Sequence, residues 1–93
     1  MILSFRDRWT EQIHQGKSVS RFPFGVQKVG LRKLQQLDIG MVLRDLTVPP
    51  GNRLEPLKGN RLGQHSIKIN DQSRICFKWT DQGPQDVEIT DYH

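Results

Sequence analysis

The side chains of this chain that could do chemistry are concentrated in its second half. Between residues 52 and 78, six basic side chains face only two acidic ones, Glu55 and Asp71. The basic ones are Arg53, Lys58, Arg61, Lys68, Arg74 and Lys78. A cationic segment suits a polyanion such as RNA, and the arginine fork matches the bidentate geometry of a phosphate. A solvated basic surface without a partner would have the same composition, so charge alone leaves both interpretations open.

The last fifteen residues have the opposite character, with four acidic side chains and no Lys or Arg, and they end in Asp91-Tyr92-His93. Imidazole is the side chain best suited to proton transfer near neutral pH, so His93 is a candidate general acid or base. A frayed terminal histidine is the alternative. Tyr92 alternates away from the apolar position Ile89 and could stack on a base, with packing as the alternative.

Other kinds of catalytic site find little support in the sequence. His14, His65 and His93 lie on separate predicted elements, without Cys or carboxylates at metal-ligand spacing, so no metal site is expected. Neither a glycine-rich phosphate loop nor a G-x-S-x-G motif occurs. His65 shares the alternation of Ile67, which favours a partly buried, hydrogen-bonded histidine. The single cysteine, Cys76, lies in an apolar run and is expected to be packed and inert in a reducing compartment.

Helix signals dominate the first half of the chain. Met1–Phe5 is expected to form a first strand, because a short apolar stretch is followed there by polar residues. Thr10 is the expected N-cap of a short helix that continues to about Gln15 and stops at Gly16. Pro23, or the residue after it, opens a second helix.

The second helix has an apolar stripe at helical spacing, with Leu31 on its flank. The stripe consists of Val26, Val29, Leu34, Leu37 and Met41. The outward positions are Lys28, Arg32 and Lys33. Gly30 costs a helix about 1 kcal/mol relative to alanine, which predicts a close packing contact at that position.

The sequence Pro49-Pro50-Gly51-Asn52 breaks regular structure and separates the helical part from a strand-rich part. Period-two alternation then predicts three antiparallel strands, which are Gln64–Asn70, Arg74–Thr80 and Asp86–Asp91. The turns between them are Asn70–Ser73 and Asp81–Pro84. The predicted fold is therefore α+β, with two N-terminal helices on one face of a curved antiparallel sheet of about four to five strands.

Size and hydropathy restrict the class of protein further. Residues 1–93, with a net charge of +4, are expected to form one domain. The longest apolar stretches are a few residues, far short of the roughly 18–20 that a membrane span needs. The start shows no signal-peptide pattern, so a cytoplasmic protein without a membrane partner is expected.

Several motifs, in order along nearly the whole chain, resemble the HigB-type toxins of the RelE/ParE superfamily, also called plasmid maintenance killer proteins. Leu54–Arg61 is similar to their L-x-P-L-K-G-x-R segment. His65-Ser66-Ile67 together with Asn70–Phe77 is similar to their central hairpin, and Asp91-Tyr92-His93 to the D-Y-H that closes many of them. Ile2–Phe5 also fits their usual start.

The resemblance implies a toxin that enters the ribosomal A site and cuts mRNA without a metal or other cofactor. In that reaction the ribose 2′-hydroxyl attacks the adjacent phosphate and the 5′-oxygen leaves. A HigA-like helix-turn-helix antitoxin is the implied partner, beside the ribosome and mRNA. The implied catalytic residues are Glu55, Lys58, Arg74, Tyr92 and His93. The implied RNA-binding residues are Arg53, Arg61, Lys68, Lys78 and Asp91.

Glu55 departs from the family pattern, because several HigB-type toxins have histidine there. A carboxylate can act as a base, but it also repels phosphate, so a slower toxin or a different codon preference is expected. Two other functions stay open: a ParE-like inhibitor of DNA gyrase, and a ribosome binder with little chemistry. The basic face and the terminal Tyr-His pair favour the nuclease over the gyrase inhibitor.

Overall fold

Two helices pack on one side of a four-stranded antiparallel sheet, in a computed structural model that describes residues 1–91. The helices are α1 (Arg8–His14) and α2 (Phe24–Ile39). The strands are β1 (Glu55–Pro56), β2 (His65–Lys68), β3 (Ser73–Thr80) and β4 (Gly83–Asp91), and they lie in the sheet in sequence order. The α+β architecture predicted from the sequence is confirmed.

Helix α1 begins three residues earlier than predicted, because its N-cap is Asp7 and the prediction of Thr10 was wrong. The Asp7 carboxylate accepts a hydrogen bond of 2.7 Å from the backbone N–H of Thr10. Thr10 itself lies inside the helix and is fully buried, where its hydroxyl accepts a bond from the N–H of Ile89. A cap depends on the local backbone direction, and both residue types are good caps, so the sequence alone favoured the wrong one.

Helix α2 begins at Phe24, as predicted, and most of its apolar stripe packs in the core. Val26 and Leu37 are buried, whereas Met41 lies beyond the end of the helix and is 85% exposed, so its prediction as a stripe residue was wrong. A Cβ on Gly30 would lie 3.2 Å from the Cδ1 of Ile89, which confirms the close contact predicted there.

The prediction that Lys33 points outward was also wrong, because a buried polar network holds its side chain. The ammonium group donates hydrogen bonds to Asn52 Oδ1 at 2.9 Å and to the carbonyl of Lys68 at 2.6 Å. The fully buried Asn52 amide donates in turn to the carbonyl of Leu46 and to Gln36 Oε1. Burial first, and then the nearby positive charges of Arg32 and Lys68, lower the pKa of Lys33.

The first five residues form backbone hydrogen bonds with β4 but do not form the predicted strand. A single parallel bridge joins Phe5 to Val87 beside β4. The β4 segment next to it is irregular, since the β3–β4 register shifts there and Asp86 has a φ of +54°. Gly83 belongs to the same junction, because a Cβ on it would lie 2.3 Å from the carbonyl oxygen of Met1.

The turn at Asn70–Ser73 is confirmed, whereas the second turn consists of Asp81 and Gln82 only, and the strand ends differ from the prediction. Strand β2 is shorter than expected, β4 begins three residues earlier, and the two-residue β1 was not predicted. The helix-facing side of the sheet carries the buried apolar residues Ile67, Ile75, Phe77, Val87 and Ile89. No helix within residues 1–91 has the length and apolar character needed to cross a membrane.

Candidate functional site

The side of the sheet that faces away from the helices carries mostly polar side chains, and we call it the polar face. Strand register arranges them in cross-strand rows. One row is Glu55, Ser66, Cys76 and Glu88, and the next is Lys68, Arg74 and Thr90. Directly opposite residues on one face have Cβ atoms about 4.5–5.5 Å apart, so each row is a line of neighbouring side chains.

At one end of the polar face, Arg53, Glu55, Lys68 and Asp71 line a cavity of about 180 Å³. Arg53 reaches it from a left-handed backbone conformation, with φ +46°, directly after the buried Asn52. Lys68 forms an ion pair of 3.0 Å with Asp71. The hydrogen bond from Lys68, and then the charges of Lys68 and Arg53, lower the pKa of Asp71. The cavity therefore combines two cations with two carboxylates.

Arg74 lies next to this cavity, partly buried on β3. Its cross-strand neighbours are Lys68 on one side and Thr90 on the other. Two cations from adjacent strands thus stand side by side on the polar face, which is the arrangement that a phosphate diester needs. The strand register brings them together, since they lie six positions apart in the chain.

Lys58 is exposed in the connection between β1 and β2. An ion pair between Arg61 and Glu88 joins this connection to β4, the strand at the opposite edge of the sheet. The chain is anchored beside Lys58 by the buried Leu57, whose N–H donates to the carbonyl of Gln64. Arg61 then extends to β4 and donates to Glu88 at 2.6 Å. This hydrogen bond raises the pKa of Arg61. The second oxygen of Glu88 lies 3.3 Å from Arg6 Nε.

The Arg61–Glu88 ion pair crosses the polar face above β2 and β3. Ser66 and Cys76, which lie in the same row as Glu88, are fully buried although they face away from the helices. Cys76 is thus packed, as predicted, and burial raises the pKa of its thiol. Arg61, predicted to bind RNA, already has a carboxylate partner in this structure.

Other predicted site residues lie apart from the cavity. Lys78 is exposed on β3, four residues from Arg74 and therefore about 13 Å away along the strand. Asp91, opposite Ser73, lines a separate cavity on the helical side, together with Arg21 and Asn70. The predicted catalytic residues Tyr92 and His93 lie outside the described residues.

Three residues that matter at this site were not assigned to it from the sequence. Asp71 lines the cavity, Glu88 engages two arginines, and Asn52 holds the segment before Arg53. The alternation of β4 put Glu88 on the polar face, but only the register shows which arginines it meets. His65 is partly buried, as predicted, and stacks on Phe77. The predicted hydrogen bonding was wrong for its Nδ1, which is buried without a partner among residues 1–91.

No group of three or more His, Cys, Asp or Glu side chains within residues 1–91 could hold a metal ion. The polar face offers cations that can bind a phosphate, and the exposed Glu55 carboxylate beside them can accept a proton. Such a set can bind and polarise a phosphate diester, and a carboxylate can remove a proton from a nearby hydroxyl.

Comparison with known proteins confirms the resemblance inferred from the motifs. The sequence model of the HigB-like toxin family, described as the RelE-like toxin of type II toxin-antitoxin system HigB, matches residues 3–93. Toxin HigB-1 of Vibrio cholerae is 42% identical over 82 residues, which are 87% of this chain and 86% of that toxin. An uncharacterized protein of Haemophilus influenzae is 34% identical over 76 residues, 81% of this chain and 75% of that protein.

Proposed function

This chain belongs to the HigB-like family, the RelE-like toxins of type II toxin–antitoxin systems, and we propose that it is a ribosome-dependent endoribonuclease that cuts mRNA. The observation that carries the proposal is the pair of neighbouring cations, Lys68 and Arg74, beside the Glu55 carboxylate on the sheet face opposite α1 and α2. Family membership implies an antitoxin partner. We propose that this antitoxin is HigA-like, with a helix-turn-helix fold.

The proposed reaction is an attack of a ribose 2′-hydroxyl on the adjacent phosphorus. Glu55 takes the hydroxyl proton, the bond to the 5′-oxygen breaks, and His93 gives a proton to that oxygen. The products are a 2′,3′-cyclic phosphate and a 5′-hydroxyl end. Arg74 and Lys58 stabilise the charge that develops on the phosphate, and Tyr92 stacks on a base beside it.

The remaining basic residues position the RNA in this proposal. Arg53 and Lys68 line the cavity at the start of the polar face, and Lys78 lies further along β3. An RNA phosphate takes the place of the Glu88 carboxylate as the partner of Arg61. Asp91 orients the residues that follow it. Because ribosomes and mRNA are the targets, the proposed site of action is the cytoplasm.

The test is primer extension on a reporter mRNA carried by programmed ribosomes. Wild-type protein is compared with a variant lacking His93, with Arg74→Gln, and with the control Arg44→Gln, which removes an exposed arginine from the connection between α2 and β1. We expect codon-phased cuts from wild type and from the control. Loss of a group that stabilises the transition state lowers such a rate by roughly 100- to 1,000-fold, so Arg74→Gln is expected to be nearly silent.

Uncut mRNA with folded wild-type protein would contradict the nuclease function. Two measurements then separate the two binding functions. Stalled ribosomes on intact mRNA in the same assay indicate a ribosome binder, whereas DNA damage in cells that express the protein indicates a gyrase inhibitor. Glu55→His belongs in the same series, since it restores the residue that several relatives are expected to have, and a faster cut is the expected result.

A further inference from the structure

A groove on the helical side of the molecule, which we call the helical groove, has no role in the proposed cleavage. It runs between the end of α1 and the first half of α2 and encloses about 250 Å³. Its floor includes Ile13, which is almost fully buried, and the partly buried Leu31. The ring of Phe24 stands at its edge with 77% of the residue exposed.

The helical groove is held in shape by the side-chain amide of Gln27. Its oxygen accepts a hydrogen bond of 2.7 Å from the N–H of Val19, and its nitrogen donates to the carbonyls of Val19 and Phe22 at 2.6 Å. The connection between the helices is therefore fixed against α2. Because the polar atoms of Gln27 are satisfied within the chain, the groove offers a ligand mainly apolar surface, and little ordering is needed when a ligand binds.

The rim of the helical groove is positively charged. Lys17 and Lys28 line it, and among residues 1–91 no acidic side chain does. Residues 12–37 contain five Lys or Arg side chains and no Asp or Glu at all. An apolar floor with a cationic rim complements a peptide that carries a large apolar side chain between carboxylates. RNA phosphates would satisfy the rim but would gain nothing from the apolar floor.

We propose that the helical groove binds one segment of the antitoxin, an acidic segment that inserts a large apolar side chain beside Phe24 and Leu31. Its carboxylates pair with Lys17 and Lys28. The inference rests on the antitoxin partner of the proposed function and is independent of the proposed RNA cleavage. The groove is built from the helices, whereas the polar face is the opposite side of the sheet, so this segment does not itself occupy the polar face.

The test measures the affinity of the purified toxin for the antitoxin produced from the same toxin–antitoxin locus. Phe24→Ser removes the apolar edge of the groove, and Lys28→Glu reverses the charge of its rim. The matched controls lie on the same helix outside the groove: Ile39→Ser, which is also 77% exposed, and Arg32→Glu, which is also exposed.

We expect Phe24→Ser to weaken antitoxin binding by roughly 30-fold, the size of effect typical of an apolar anchor at the centre of an interface. Lys28→Glu is expected to weaken it by roughly 10-fold, and by less at high salt, because a rim charge acts mainly by attraction over distance. Ile39→Ser and Arg32→Glu are expected to change it less than about twofold, the range of ordinary surface substitutions.

Equal losses in the groove variants and the matched controls would overturn the inference, as would unchanged binding in both groove variants. Weaker ribosome binding by Lys28→Glu with unchanged antitoxin binding would assign the rim to ribosomal RNA instead. Loss of a concentration-dependent dimer in Phe24→Ser would assign the groove to a second copy of the chain. A toxin that binds antitoxin through the groove but cuts no mRNA would refute only the proposed nuclease.

Discussion

Replacing Glu88 by glutamine is expected to change stability and RNA affinity in opposite directions. The Glu88 carboxylate engages Arg61 at 2.6 Å and Arg6 at 3.3 Å, and it thereby holds Arg61, which contacts RNA in the proposed function. Glutamine keeps the size and one acceptor oxygen but removes the charge. We expect Glu88→Gln to be less stable than wild type and to bind single-stranded RNA more tightly.

The size of the stability loss follows from the exposure of the ion pair. The side chains of Arg61 and Glu88 are 27% and 15% exposed, so solvent screens their attraction only in part. A hydrogen bond to a charged group contributes about 1.5–3 kcal/mol, and the glutamine oxygen retains part of it. Arg6 is 56% exposed and adds little. The expected loss is about 1–2 kcal/mol, a fall in Tm of about 4–16 °C for a chain of this length.

The gain in RNA affinity follows because the guanidinium group of Arg61 loses its carboxylate partner and can contact a phosphate instead. Each additional contact to a single-strand phosphate steepens the dependence of log affinity on log salt by about 0.7. We therefore expect a steeper salt dependence in Glu88→Gln and roughly fivefold tighter binding at low salt, equivalent to about 1 kcal/mol. Fluorescence anisotropy with a labelled single-stranded RNA over a series of salt concentrations measures both quantities, and urea unfolding measures stability.

Asp86→Asn is the matched control, because it removes one negative charge from the same strand at an exposed position. Asparagine tolerates the left-handed backbone of Asp86, φ +54°, so its fold is preserved. This control is expected to keep the stability and the salt slope of wild type. If Glu88→Gln loses RNA affinity together with stability, then Glu88 supports the RNA-binding conformation and the reasoning above is refuted.

Two further predictions concern the framework that holds the site. Burial lowers the pKa of Lys33 from its ordinary value of 10.5. Between the lowered pKa and 10.5 the folded chain therefore binds fewer protons than the unfolded chain. The wild-type protein consequently gains stability as the pH rises through this window. Lys33→Met lacks this gain and also leaves Asn52 Oδ1 without its donor. We expect urea unfolding to show a loss of about 1–3 kcal/mol that grows with pH. A difference between wild type and variant that stays constant with pH would contradict the lowered pKa of Lys33. Asp7→Ala removes the cap of α1 and is expected to cost about 1 kcal/mol, whereas Asp7→Asn keeps an acceptor; equal losses in both variants would show that the cap bond is not the cause.

Helix and strand types were predictable because they depend on periodicity along the chain. The stripe from Val26 to Leu37, and the alternation of Ile75, Phe77 and Trp79, each place apolar side chains on one face of a regular element. The asparagine turn after β2 was predictable for a similar reason, since Asn70 Oδ1 accepts bonds from the N–H groups two and three residues later. Family membership was also visible in the sequence, because it rests on motifs at fixed spacing.

Element ends and buried polar groups were less predictable. Whether Asp7 or Thr10 caps α1 depends on the direction from which the chain enters, and whether Lys33 is exposed depends on what packs above it. Asn52 lies nineteen residues away from Lys33 and supplies the acceptor that makes its burial possible. Sequence reasoning treats a lysine as a surface residue because an unpaired buried charge is costly, and it has no way to locate a distant partner.

The sequence by itself determined the α+β class, the core faces of the helices and strands, and the family, since all of these follow from residue types at regular spacing. Only the tertiary structure decided which cations become neighbours. Register places Lys68 beside Arg74, and the fold brings Arg61 across the sheet to Glu88. Electrostatic interactions depend on distance in space, and strands from separate parts of the chain set those distances when they pair.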